Sequence, residues 1–245
     1  MSSADFSILL PAFIAGLLVL ATHIPFGMKV LARGVIFADL AVAQIAGLGM
    51  ILAGLLDLTE QPLIVQLIAA ASALCGAALL AWIEKRLPEV KEACIGLTFV
   101  LAASGGILLM SRDVHSGEHL KDLLVGQILW VSTNQLIAAA LLTAVLLGLW
   151  QWSKLKTHML GFYTLFALAV TASVQLVGVY LVFASLIVPA LATYRIKQMR
   201  MVVAFVIGIA GYAIGLLLSA WFDLPSGATV VWAMTTAGAV VLLKT

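Results

Sequence analysis

Three observations predict an all-α, polytopic transmembrane fold. The 245 residues are 64% hydrophobic and 10% charged. A soluble domain carries about 25% charged residues, so this chain lacks the polar surface to cover a globule. The apolar residues fall in runs near the length of a helix that crosses a bilayer. The runs also lack the short alternating segments of a β-barrel, and backbone groups in hydrocarbon must bond within their own segment, which leaves helices. The expectation is one transmembrane domain over 1–245, with about eight to nine spans including a short or re-entrant pair.

The runs lie at 6–28, 34–56, 62–83, 93–111, 123–152, 159–175, 177–194, 201–222 and 227–243. The first is preceded by Asp5 and no basic segment, so it reads as a retained span and not a cleaved signal. It carries His23, followed by Pro25 and Gly27. That grouping fits either irregular backbone lining a cavity or a helix end with a capped histidine. The second run holds Asp39 and Gln44. The stretch 159–194 is too long for one helix and too short for two long ones, so it is split at Gln175–Gly178. Cys75 and Cys94 give no disulfide framework and read as small buried hydrophobes.

Charge in the gaps sets the orientation. Lys29, Arg33, Lys85, Arg86, Lys91, Lys154, Lys156, Arg195, Lys197, Arg200 and Lys244 share one side if there are nine spans, which is 11 of the 13 basic residues. The positive-inside rule makes that side cytoplasmic, with the N-terminus outside. Seven acids fall outside, three inside, and Asp39 alone within a span. An ionisable group at a span centre costs roughly 2.5–3.5 kcal/mol on insertion scales, so it is a functional candidate by default.

Asp39 lies about 8 Å from the inner boundary near Arg33 at 1.5 Å per residue, and an interfacial pairing with Arg33 is the structural alternative. Asp39 and Gln44 stand about 140° apart on an ideal helix and do not share a face. Ala43-xxx-Gly47 and Gly49-xxx-Ala53 place small residues one turn apart, which permits close helix approach. In the outer gap, His115, Glu118, His119 and Asp122 would share one face of a helix, a donor set suited to a divalent ion such as zinc. A solvated polar loop is the alternative. No P-loop, nucleophile constellation or phosphate cradle is present, and nothing points to nucleic acid.

Four stretches carry a family resemblance. Lys91-Glu92-Ala93-Cys94-Ile95-Gly96, Leu123–Ser132, Val177–Ala190 and Asp223-Leu224-Pro225-Ser226-Gly227-Ala228 follow one another in the order of similar segments in the permeases of zinc/manganese/iron-type metal ABC importers. The resemblance implies a multi-pass permease of the bacterial cytoplasmic membrane. It would import a divalent metal, zinc first and manganese next, as a homodimer or paired permease in the lipid bilayer. It also implies an ATPase subunit that uses ATP, an extracytoplasmic metal-binding protein, no cofactor in this subunit and no enzymatic activity of its own.

The family motif GDALSHAVLPG carries Asp and His four apart. Here aligning Asp39 with the acid leaves Ala43 at the histidine position, and aligning Gln44 with the histidine displaces the acid by one residue. The family's coupling segment after the fifth span is represented only by Ser153–His158. The Arg195–Arg200 turn or the Glu84–Glu92 loop then becomes a candidate ATPase dock. The metal-handling candidates are Asp39 and Gln44 along the path and His115, Glu118 and His119 as an outer receiving patch. An ATP-independent carrier or channel of the same fold is the rival reading, and a non-transporting membrane scaffold is a third.

Overall fold

The computed structural model describes residues 3–56, 58, 61–110, 128–152 and 158–245. Among these there are helices and no strand. The helices are α1 (Ser3–Arg33), α2 (Ala38–Leu55), α3 (Pro62–Arg86), α4 (Lys91–Met110), α5 (Thr133–Trp152), α6 (Met159–Val177), α7 (Val179–Ala192), α8 (Arg200–Phe222) and α9 (Ser226–Lys244), with a 3-10 turn at Ile128–Trp130. Seven of them are long and apolar enough to cross a membrane; α7, at 14 residues, is shorter. The expected polytopic helical membrane fold is present.

The break expected within 159–194 falls at Gly178, whose φ of 82° is open to glycine and rarely to other residues. α6 keeps 19 residues, enough to span, so only α7 is short. The opposite holds at Pro25 and Gly27. Neither a break nor a helix end occurs there, and α1 runs through Pro11 and Pro25 for 31 residues. A proline removes one intrahelical bond, and neighbouring groups in a packed membrane helix can absorb that loss. Gly27 serves close approach instead, as described below. The run at 123–152 also differs. α5 starts only at Thr133, behind a reciprocal cap in which Gln135 N–H donates to Ser132 Oγ at 3.3 Å and Ser132 N–H donates to Gln135 Oε1 at 2.8 Å.

The chain separates into two compact units, Met1–Arg33, Leu124–Val145 and Ser173–Thr245 in one, and Gly34–Leu123 and Leu146–Ala172 in the other. In the first unit, small residues set the helix spacing. Gly211 and Gly215 of α8 lie against the main chain of Met234 and Val230 of α9, a GxxxG contact between antiparallel helices. α1 runs antiparallel to α8, with Gly208 against Leu20 and Gly16 under the ring of Tyr212. Tyr212 is fully buried, and its hydroxyl lies 3.0 Å from Ser185 Oγ. The Ser185 hydroxyl already donates to Leu181 O at 2.7 Å, so the tyrosine is the donor. Gly27 of α1 lies against the carbonyl of Leu186 in α7.

The turns at the ends of α8 are tight. Asp223 closes the helix at φ 51°, Leu224 N–H donates to Ser219 O at 3.1 Å, and Ser219 Oγ donates to Leu224 O at 2.7 Å. Met199 precedes α8 at φ 55° and is 69% exposed. A Cβ in this left-handed region costs roughly 1–2 kcal/mol, and glycine has no such penalty. Met199→Gly is therefore expected to stabilise the protein by about 1 kcal/mol. A thermal midpoint in detergent that fails to rise would contradict it.

In the second unit, α2 packs antiparallel to α3 and parallel to α4. Gly49 meets Ser72 and Gly76 meets Ile45 on the α3 side. Phe37, Leu48 and Ile51 lie against Gly96, Gly105 and Gly106 on the α4 side. Of the two small-residue pairs named in α2, Gly49 makes a close approach and Gly47 has nothing within 4 Å of its Cβ position. Trp150, Phe162, Tyr163 and Phe166 form an aromatic cluster, with Phe162 and Phe166 stacked at 5.6 Å. Both cysteines are free thiols, and Cys75 is exposed, not a buried hydrophobe.

Candidate functional site

α2 is polar at two places in an otherwise apolar helix, and its packing fixes where each points. The contacts of Phe37, Leu48 and Ile51 define the α4 side. At 100° per residue, Gln44 falls within about 20° of Phe37 and so lies on that side, half-buried. Asp39 falls about 160° from Phe37, on the opposite side. Asp39 and Gln44 do not converge, in keeping with the 140° separation.

Asp39 is the more unusual of the two. It is 1% exposed, and among the described residues neither carboxyl oxygen has a hydrogen-bond partner. Isolated burial of an ionised carboxylate costs several kcal/mol even after relaxation, and buried polar groups are ordinarily paired. An acid in the first helical turn is favoured by the positive end of the helix dipole, typically by 0.3–1 kcal/mol, which offsets only part of that cost. Two acceptor oxygens with no internal donor suit a ligand that brings positive charge. Folding stability gives no reason for an acid at this position.

The N-terminus of α2 is held from outside the helix. Phe37 is the N-cap residue and offers no side-chain acceptor. Its own N–H donates to Glu92 Oε1 in the first turn of α4 at 3.1 Å. Sequence reasoning placed Glu92 only at the end of a candidate ATPase dock and missed its link to α2. No local spacing could reveal it, because the pair is 55 residues apart.

His23 lies in α1, fully buried, with Nδ1 3.0 Å from Val19 O. That contact fixes the tautomer with hydrogen on Nδ1, since only a ring N–H can bond a carbonyl. Thr22 Oγ1 donates to the same carbonyl at 3.1 Å. Nε2 is buried and has no hydrogen-bond partner among the described residues. His23 is thus anchored within its own helix, not capped at a helix end.

His115, Glu118 and His119 lie outside the described residues, as does Asp122. Among the described residues, no three His, Cys, Asp or Glu side chains gather closely enough to hold a metal ion. Asp39 thus belongs to no such group among the described residues, and a metal held there would take further ligands from water or solute.

The comparisons agree with one another. The profile described as "ABC 3 transport family" matches residues 5–161 and 151–245. Two curated proteins are similar: the Haemophilus influenzae "Probable iron transport system membrane protein", 28% identical over 171 residues, and the Yersinia pestis "Chelated iron transport system membrane protein YfeD", 30% identical over 176 residues. Each alignment covers 60% of this chain, and 62% and 57% of those proteins respectively, so the chain matches less than two thirds of either relative. Among solved structures, PsaBC from Streptococcus pneumoniae in complex with Fab shares the fold at a TM-score of 0.73 and 21% identity, over 96% of this chain and 89% of that one. With a family match that runs almost the length of the sequence, the chain belongs to the ABC 3 transport family.

Proposed function

We propose that this chain is the permease subunit of an ABC transporter that imports a divalent first-row metal ion across the bacterial cytoplasmic membrane, and that Asp39 contacts the metal in transit. One observation carries the site: a buried carboxyl within a membrane helix, with no hydrogen bond to either oxygen among the described residues. Intramembrane acids with that character mark ion pathways.

Three supports bear on the metal. The resemblance implies zinc first and manganese next. The similar proteins are named for iron. α2 offers an oxygen donor at Asp39, with Gln44 on another side of the helix, and no imidazole. A carboxylate oxygen suits manganese better than zinc, and the relatives named for iron bring iron(II) beside it, so those two move ahead of zinc in this reading. The outer segment with His115, Glu118 and His119 would receive the ion from an extracytoplasmic binding protein. A cytoplasmic ATPase would drive a permease dimer.

A rival reading has one specific observation in its favour. α5 ends at Trp152 and α6 begins at Met159, leaving only 153–158 between them. That is little chain for the coupling segment of the family pattern, and it suits an ATP-independent carrier. The deciding experiment is manganese or iron(II) uptake into proteoliposomes with and without the ATPase. Uptake that needs ATP supports the importer, and uptake that ignores ATP supports the carrier. Replacing His115, Glu118 and His119 together with alanine is expected to slow loading from dilute metal. Unchanged uptake at low metal would remove the outer patch from the reading.

A further inference from the structure

The connector between α3 and α4 has a mechanical link to the turn that carries Asp39. Residues 85–90 are exposed, yet the segment is closed by its own hydrogen bonds. Leu87 N–H donates to Ile83 O at 2.8 Å, Val90 N–H to Leu87 O at 3.2 Å, and Cys94 N–H to Val90 O at 3.0 Å. The connector is thus a stiff turn that leads straight into α4. Glu92, in the first turn of α4, then bonds the Phe37 N–H at 3.1 Å. Glu92 Oε2 is buried without a hydrogen-bond partner among the described residues. One turn further along α4, Gly96 leaves room for the Phe37 ring, whose Cδ2 lies 3.9 Å from the glycine's Cβ position. Asp39 follows Phe37 by two residues but points to the opposite side of α2, so Glu92 acts on the turn and not on the Asp39 carboxyl.

A helix that begins on phenylalanine has no capping acceptor of its own. A carboxylate supplied from α4 instead takes the part that the N3 acid plays in a capping box, accepting the N-cap N–H, and its charge complements the positive end of the α2 dipole. Without it, the first turn of α2 would be free to fray, and Asp39 lies within that turn.

We propose that Glu92 is a positioning residue for transport: its bond to the Phe37 N–H holds the first turn of α2, and with it Asp39, against the start of α4. The role of Asp39 itself rests on the metal-import reading above, whereas the positioning does not.

The test compares Glu92→Ala, which removes the acceptor, with Glu92→Gln, which keeps an oxygen of similar reach and removes the charge. The whole reconstituted transporter is used, with manganese as the probe. In Glu92→Ala, amide exchange over residues 37–41 should speed up roughly tenfold or more, the scale of a lost hydrogen bond to a charged group. The manganese concentration for half-maximal uptake should rise by a similar factor, with the amount of protein in the membrane unchanged. Glu92→Gln should restore both to within about threefold, the difference between a charged and a neutral acceptor. Amide exchange that stays at the wild-type rate in Glu92→Ala overturns the proposal, as does a Glu92→Gln variant as impaired as Glu92→Ala. Should Glu92→Ala fail to accumulate, Glu92→Asp, one methylene too short for the bond, carries the same comparison. A wild-type protein that moves no manganese would sink the import reading, while the exchange rates would still decide the positioning.

Discussion

Gly27→Ala is expected to remove most folded protein from the membrane, while Gly47→Ala leaves it intact. A Cβ on Gly27 runs into the main-chain carbonyl of Leu186, with the carbonyl carbon at 2.9 Å. No rotamer change relieves a clash with backbone, so α1 and α7 would have to move apart. Overpacking typically costs about 1–3 kcal/mol, and an immovable obstacle puts this case at the upper end or beyond. In a bilayer that separation also loses the packing that holds the helices together, because lipid tails are as apolar as the side chains. Gly16→Ala should be intermediate, since its obstacle is the ring of Tyr212, a side chain held at its hydroxyl by Ser185. At Gly47 nothing lies within 4 Å, and alanine gains up to about 1 kcal/mol of helix propensity. Thermal midpoints in detergent give the order directly. Equal losses at positions 27 and 47 would mean that these glycines matter for something other than space.

These glycines also mark where the sequence was legible and where it was not. Apolar run length located most of the helices, because hydrocarbon thickness is a one-dimensional constraint that composition records. The break at Gly178 was legible for the same reason, since the run had the wrong length. The opposed faces of Asp39 and Gln44 followed from helix period alone. Helix partners were not legible. Ala-rich spans offer many small-xxx-small pairs, and only the fold selects Gly211 and Gly215 over Gly47. Pro25 and Gly27 misled because a proline can be carried inside a packed membrane helix, and the glycine answers to α7, not to its own backbone. One missed feature had a local signal: Ser132 and Gln135 form a capping box spelled out in the sequence. Read as such, it would have started α5 at Thr133 instead of extending an apolar run back to 123. Glu92 had no local signal at all, since its partner is Phe37, across the intervening α2 and α3.

Asp39→Asn is expected to lose metal uptake by at least about tenfold, the lower range for disrupting a metal site, without losing the fold. The reasoning runs from cost. A charged carboxylate buried with no partner opposes folding by several kcal/mol, so an isosteric neutral amide should leave the thermal midpoint level or higher. Its own unpaired amide hydrogens carry a penalty of about 1–3 kcal/mol, which limits the gain. Stability and transport should therefore move apart, the usual sign of a residue kept for function at the expense of stability. A second measurement separates metal contact from other roles. A ligand at 100 times its dissociation constant stabilises the folded state by about 2.7 kcal/mol, so manganese or iron(II) should raise the midpoint of the wild-type protein and not of Asp39→Asn. If Asp39→Asn instead unfolds, and uptake falls only in proportion to the folded protein remaining, then Asp39 is a structural acid whose partner is lipid-borne or supplied by another subunit. The metal path must then be sought on another helix.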